Sequence, residues 1–132
     1  MDQRVVMEGV LTNDQGEVLI VQRSDHESFA GQYELPSGKV EIGEDPLDAL
    51  AREYEEETGL DVVPVKPLHV DHYETGDRHN VAITYQVSSE NFDGITLSDE
   101  HQDYAWTDRE GLETYDVIGP VEEELHEIWD DL

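Results

Sequence analysis

Apolar positions recur along this chain with two different periods. From Arg4 to Leu11 they alternate loosely and are rich in valine, and from Glu17 to Gln22 they form a nearly continuous run. Both stretches read as strands, and the turn signal Asn13-Asp14-Gln15-Gly16 between them predicts a hairpin. Ser24 to Gly31 is polar and reads as a surface loop. Gln32 to Leu35 is a short extended piece that delivers the chain to a turn at Pro36-Ser37-Gly38. The period then changes. Leu47, Leu50, Ala51 and Tyr54 fall at i, i+3, i+4 and i+7, one buried helix face. Asp45 is a suitable N-cap, Pro46 fits the first helical position because it has no amide hydrogen to leave unpaired, and Gly59 is the expected stop.

Leu60 to Val65 and Pro67 to His72 return to a strand-like pattern. The second leads through Glu74-Thr75-Gly76-Asp77-Arg78 into Val81 to Val87 as another hairpin. Ser88 to Gly94 reads as a loop, Asp103 to Thr107 as a strand and Asp108 to Thr114 as a short helix. After a break near Gly119-Pro120, Val121, Leu125, Ile128, Trp129 and Leu132 recur at helical spacing, with Glu122 to Glu124 at the start, where acids suit the helix dipole. Strands on either side of one central helix, closed by a terminal helix, predict an α+β fold with a mixed β-sheet between helices. No internal repeat or linker divides residues 1–132, which read as a single domain.

Charge narrows the function classes. The 132 residues carry 34 Asp and Glu against 7 Lys and Arg, a formal −27 spread over the whole chain. Apolar periodicity persists throughout, so this is not a disordered acidic segment. Dispersed acidity with only Lys39 and Lys66 as lysines resembles proteins of salt-loving organisms, whose high-salt cytoplasm screens the self-repulsion. No basic cluster is present to bind nucleic acid. The absence of cysteine excludes disulfides and thiolate chemistry. No leader-like pattern or membrane-length apolar run occurs, so a soluble protein is expected, and the lack of cysteine fits the cytoplasm.

The central helix carries the chemistry. Glu53, Glu56 and Glu57 are three and four residues apart and share one flank beside the apolar stripe, with Glu55 adding a fourth acid. Like charges at that spacing destabilise an isolated helix, and a hard divalent cation such as Mg²⁺, which takes oxygen ligands and retains waters for substrate phosphates, would resolve the repulsion. From Gly38 to Leu60 the stretch resembles the Nudix box, GX5EX7REUXEEXGU, with Gly38, Glu44, Arg52, Glu53, Glu56, Glu57, Gly59 and Leu60 in register. Tyr54 departs from the bulky aliphatic residue of the first U position and still supplies bulk, provided its hydroxyl finds a partner. Ser37 stands where the family usually has a second glycine.

The resemblance implies the Nudix fold and Mg²⁺-dependent hydrolysis, with Mn²⁺ as an alternative, of a nucleoside diphosphate linked to another moiety. A MutT-like action on a nucleoside triphosphate is the first expectation. ADP-ribose or a dinucleoside polyphosphate is the runner-up, and a non-catalytic nucleotide-binding module the reading from another class. The resemblance adds the backbone carbonyl of Gly38 to the ligands Glu53, Glu56 and Glu57. It also pairs Arg52 with Glu44 to orient the box, and leaves Glu56 or Glu53 as candidate base. Glu100, or its neighbour Asp99, stands where many family members place an extra ligand or base. Lys39, Arg23 and Arg78 are candidate substrate contacts whose plain alternative is surface ion pairing. Tyr33, Tyr73, Tyr104 and Trp106 could stack a base but more simply belong to the core. His26, His69, His72, His79, His101 and His126 show no metal-ligand spacing and read as loop or packing residues. A small-molecule nucleotide partner is expected, with room for a homodimer.

Overall fold

The computed structural model describes residues 2–132. The chain runs through β1 (Asp2–Leu11), β2 (Val18–Arg23), β3 (Tyr33–Glu34), β4 (Ser37–Lys39), α1 (Pro46–Thr58), β5 (Val63–Thr75), β6 (Arg78–Ser88), β7 (His101–Thr107) and α2 (Gly119–Ile128). A 3-10 turn at Gly111–Thr114 stands where the short helix was expected, and another, Trp129–Asp131, extends α2. The architecture is α+β.

The hairpin expected from the first two strands does not form. Its turn does: the Asn13 side-chain oxygen accepts from the amides of Gln15 and Glu17, and Thr12 bridges Val18. Past that bridge the strands part, β1 into a four-stranded sheet of order β4-β1-β6-β5 and β2 into a three-stranded sheet of order β3-β2-β7. A strand has only two hydrogen-bonding edges. Those of β1 are taken by β6, parallel from Asp2↔Arg78 to Leu11↔Val87, and by antiparallel β4. Two further expectations change. Pro36-Ser37-Gly38 is not a turn but runs into β4, which pairs Gly38 with Met7; the left-handed glycine of this segment is Gly43, at φ 82°. Residues 63–75 form one strand rather than two pieces, with irregular pairing around Pro64 and Pro67, which have no amide hydrogen for the ladder.

Both faces of β2 are buried, which is why the Val18–Val21 run is uniformly apolar rather than alternating. Met7, Leu11 and Leu19 pack with Leu50 and Tyr54 of α1 on one side. Val10, Val18 and Ile20 pack with Leu125 and Ile128 of α2 on the other. Successive residues of a strand serve opposite layers. The ends of α1 form as the sequence predicts. Asp45 caps the amides of Leu47 and Asp48, and Gly59, at φ 76°, donates to the Glu55 carbonyl. The buried face is rotated from the expected stripe, however: Ala49 is buried and Ala51 only half-buried. The Tyr54 ring lies against Gly9, where a Cβ would come within 2.7 Å of Cε2. Its hydroxyl is buried and has no hydrogen-bond partner among the described residues, so the expected partner is missing.

Candidate functional site

The rotation of α1 divides its three glutamates between different environments. Glu57 does not lie on the solvent-facing flank: it is 3% exposed. One of its oxygens accepts from the Ser37 amide at 3.3 Å, and the other is buried with no hydrogen-bond partner among the described residues. Burial pushes the Glu57 carboxyl well above the ordinary value, against the pull of the Ser37 amide, with Glu100 and Glu34 adding to the rise. Glu53 is half-buried against β4. A Cβ at Gly38 would overlap its side chain, so glycine there is a steric requirement of the Glu53 position rather than of a turn. Burial also raises the Glu53 carboxyl, opposed by hydrogen bonding to Arg52. Glu56 faces solvent, its side chain 57% exposed.

Arg52 ties these groups together. Its Nε and Nη2 donate to the two oxygens of Glu44, each at 2.9 Å, a fork-to-fork pair. Its Nη1 donates to Glu53 at 2.9 Å and reaches Glu56 at 3.4 Å, and Nη2 also meets the Lys39 carbonyl at 3.3 Å. This is more than the i, i+4 contact of a solvated helix. The guanidinium, with the Glu41 amide, holds the Glu44 carboxyl down to about 2. The Lys39 side chain is exposed, and Arg4, Lys39 and Arg78 line one cleft of about 690 Å³ together with Glu41 and Glu44.

The loop before β7 closes the site from another side. The amides of Thr96 and Ser98 donate to the carbonyls of Thr58 and Glu57, and Ser24 pairs with the Glu100 and Asp99 carbonyls. So anchored, the loop sets Glu100 and His101 beside Glu57, with one potential ligand atom from each within 4.8 Å of the others. His101 is not a loop residue but the first of β7, with its side chain 1% exposed. Arg23 does not project freely: its Nη1 donates to Glu34 at 2.8 Å and its Nε to the Ser28 carbonyl. Sequence reasoning gave no role to Glu34 or His101. The register that sets Arg23 opposite His101 and Val21 opposite Glu34 follows from strand order, which local spacing does not encode. Of the aromatic candidates, Tyr33 packs edge-on against Tyr115 and Trp106 against Phe92, while Tyr73 and Tyr104 are exposed.

The donors present suit a hard or borderline divalent cation. Among the described residues one buried Glu57 oxygen and the buried His101 Nδ1 have no hydrogen-bond partner, and Nδ1 lies 3.8 Å from the other Glu57 oxygen, the one that accepts from Ser37; a cation held between these side chains would satisfy them.

A family model described as the NUDIX domain matches residues 2–128. The chain is 34% identical over 128 residues to the nucleoside triphosphatase NudI of Enterobacter sp. (strain 638), covering 89% of this chain and 90% of that protein. It is 32% identical over 108 residues to the 8-oxo-dGTP diphosphatase of Escherichia coli (strain K12), covering 82% of each. Among solved structures it superposes on the MutT protein of Methanosarcina mazei Go1 with a TM-score of 0.85 at 26% identity, covering 98% of this chain and 94% of that one.

Proposed function

The chain belongs to the Nudix family, and from that membership we propose that it is a MutT-like pyrophosphohydrolase that cleaves a nucleoside triphosphate with the help of Mg²⁺. The observation that carries the reading is the gathering of glutamates beside β4, where Glu53 lies against Gly38 and Glu57, which accepts from Ser37, meets Glu100, with Arg52 and Glu44 bracing the helix from outside. The whole constellation belongs to one domain spanning residues 1–132. The named activities of the two relatives, both on nucleoside triphosphates, support the substrate class.

The Gly38 carbonyl, Glu53, Glu56 and Glu57 would hold the ion, with Glu100 as the added ligand. When bound, Mg²⁺ neutralises phosphate oxygens and makes a coordinated water more acidic. The chain does the rest. Arg52, anchored on Glu44, fixes the Glu53 rotamer, and the missing Cβ at Gly38 lets the backbone approach it. Glu56, open to solvent and braced at 3.4 Å by Arg52, and Glu53 are the groups able to take a proton from the attacking water. Lys39, with Arg4 and Arg78, brings positive charge to the adjoining cleft, where it would meet a polyphosphate. Arg23 acts through Glu34 rather than on substrate.

The dispersed −27 charge supports a high-salt habitat and a cytoplasmic protein. Among the described residues no helix is long and apolar enough to cross a membrane. The exposed Val63, Val65 and Val70 on edge strand β5 support a homodimer, which light scattering in molar KCl would detect. The function is tested by a nucleotide panel with Mg²⁺ and Mn²⁺ in high salt, resolving pyrophosphate from phosphate release. Nucleoside triphosphates should yield pyrophosphate, and Glu57→Gln should lower the rate at least ~100-fold while keeping the far-UV CD spectrum. No release from any nucleotide, or near wild-type turnover by the variant, would overturn the assignment.

A further inference from the structure

His101 enters this site as a nitrogen donor among carboxylates. Its Nε2–H donates to Glu34 at 2.8 Å, and the same Glu34 oxygen accepts from Arg23 at 2.8 Å. In the tautomer that carries its proton on Nε2, Nδ1 is a lone pair. That Nδ1 is buried, has no hydrogen-bond partner among the described residues, and lies 3.8 Å from a Glu57 oxygen. A histidine needed only for packing would not leave a buried nitrogen without a partner among the described residues, beside a carboxylate whose second oxygen is also unpaired. A carboxylate that fixes the tautomer and plane of a ring whose other nitrogen faces a ligand space is the arrangement that supports metal-bound histidines.

We propose that Glu57, Glu100 and His101 form a mixed oxygen-and-nitrogen cation site, in which His101 Nδ1 is a direct ligand held in place by Glu34 and Arg23. The inference rests on the metal-dependent reading of this chain and refines which ion it favours. Mg²⁺ takes oxygen donors almost exclusively, whereas Mn²⁺ and the later transition ions gain from an imidazole. The site therefore discriminates in favour of Mn²⁺, and the Arg23–Glu34 pair positions the ring without touching substrate.

Mn²⁺ provides its own probe. Electron spin echo envelope modulation of the Mn²⁺-loaded protein should show coupling to a coordinated ¹⁴N in the wild type and none in His101→Gln. The variant should bind Mn²⁺ about 10–100-fold more weakly, with Mg²⁺ affinity nearly unchanged. Glu34→Gln, which keeps the ligand and loosens its support, should retain the nitrogen coupling with a smaller loss of Mn²⁺ affinity. The inference is overturned if the wild type binds no Mn²⁺, if bound Mn²⁺ shows no nitrogen coupling, if the coupling survives in His101→Gln, or if that variant weakens Mn²⁺ and Mg²⁺ equally. Should His101→Gln fail to fold, the wild-type spectrum after ¹⁵N-histidine labelling decides alone: a ¹⁵N coupling supports direct ligation and its absence refutes it. The outcomes separate cleanly from the hydrolytic reading. Nitrogen coupling without nucleotide hydrolysis would spare the site and sink the function, and hydrolysis without nitrogen coupling would do the reverse.

Discussion

On the opposite face of the four-stranded sheet from α1, Glu8 of β1 and Glu124 of α2 meet at the Thr84 hydroxyl. Thr84 lies 3.1 Å from a Glu8 oxygen and makes a short contact with Glu124. A hydroxyl has one proton and can donate to only one of them, so the other contact is a hydrogen bond only if that carboxyl is itself protonated. Burial and the Glu124 charge push Glu8 up from 4.5 to about 8, and Glu124 is raised in the same direction by burial. The folded state therefore binds more protons than the unfolded chain between those values. Its stability from this pair is complete below about pH 4.5 and is lost as pH rises through about 8. At about 1.4 kcal/mol per pH unit, the ceiling is about 5 kcal/mol. Glu8 keeps some solvent contact and the pair shares its proton, so the expected loss between pH 5 and pH 8 is about 2–3 kcal/mol. Glu8→Gln retains the oxygen facing Thr84 and removes the titration. Urea denaturation at constant KCl, from pH 5 to pH 8, should show the wild type falling and the variant nearly flat, with the variant the more stable at pH 8. General self-repulsion tilts both curves alike, so only their divergence counts. Curves that stay parallel within ~0.5 kcal/mol would refute the shared-proton account.

Other consequences are local. Gly38→Ala should displace the Glu53 carboxylate, because the new Cβ would occupy its space; hydrolysis should drop at least ~10-fold with an unchanged CD spectrum, and an unaffected rate would show that Glu53 tolerates another position. Gly9→Ala places a Cβ 2.7 Å from the Tyr54 ring and should destabilise by about 1–3 kcal/mol, as thermal melts would show. Tyr54→Leu in the same chain should recover most of that loss, and a failure to recover would place the strain in the backbone of β1. With 34 acids to 7 bases, the melting temperature should climb steeply from dilute buffer to molar KCl, and a melt insensitive to salt would dismiss the high-salt reading.

Legibility followed the range of the interaction involved. The ends of α1 depend on groups within four residues, and Asp45, Pro46 and Gly59 stand in the sequence as they act in the fold. The pairing of Arg52 with Glu44 spans eight residues and was still legible, because a motif of fixed spacing carries it. The parting of β1 and β2 was not, since Asn13 to Gly16 encodes a turn whichever partners the strands then find, and β6 is some seventy residues away. The burial of Glu57 was hidden for the same reason. A helix alone places Glu53, Glu56 and Glu57 on one flank, and only the sheet it packs on decides which of them loses water. That decision shapes the chemistry: Glu56 stays open to water within reach of Arg52. Glu57, sealed beneath Ser37 and beside His101, is an acid whose charge burial opposes. The buried glutamate and the buried histidine thus explain each other, and neither has a reason to be there alone.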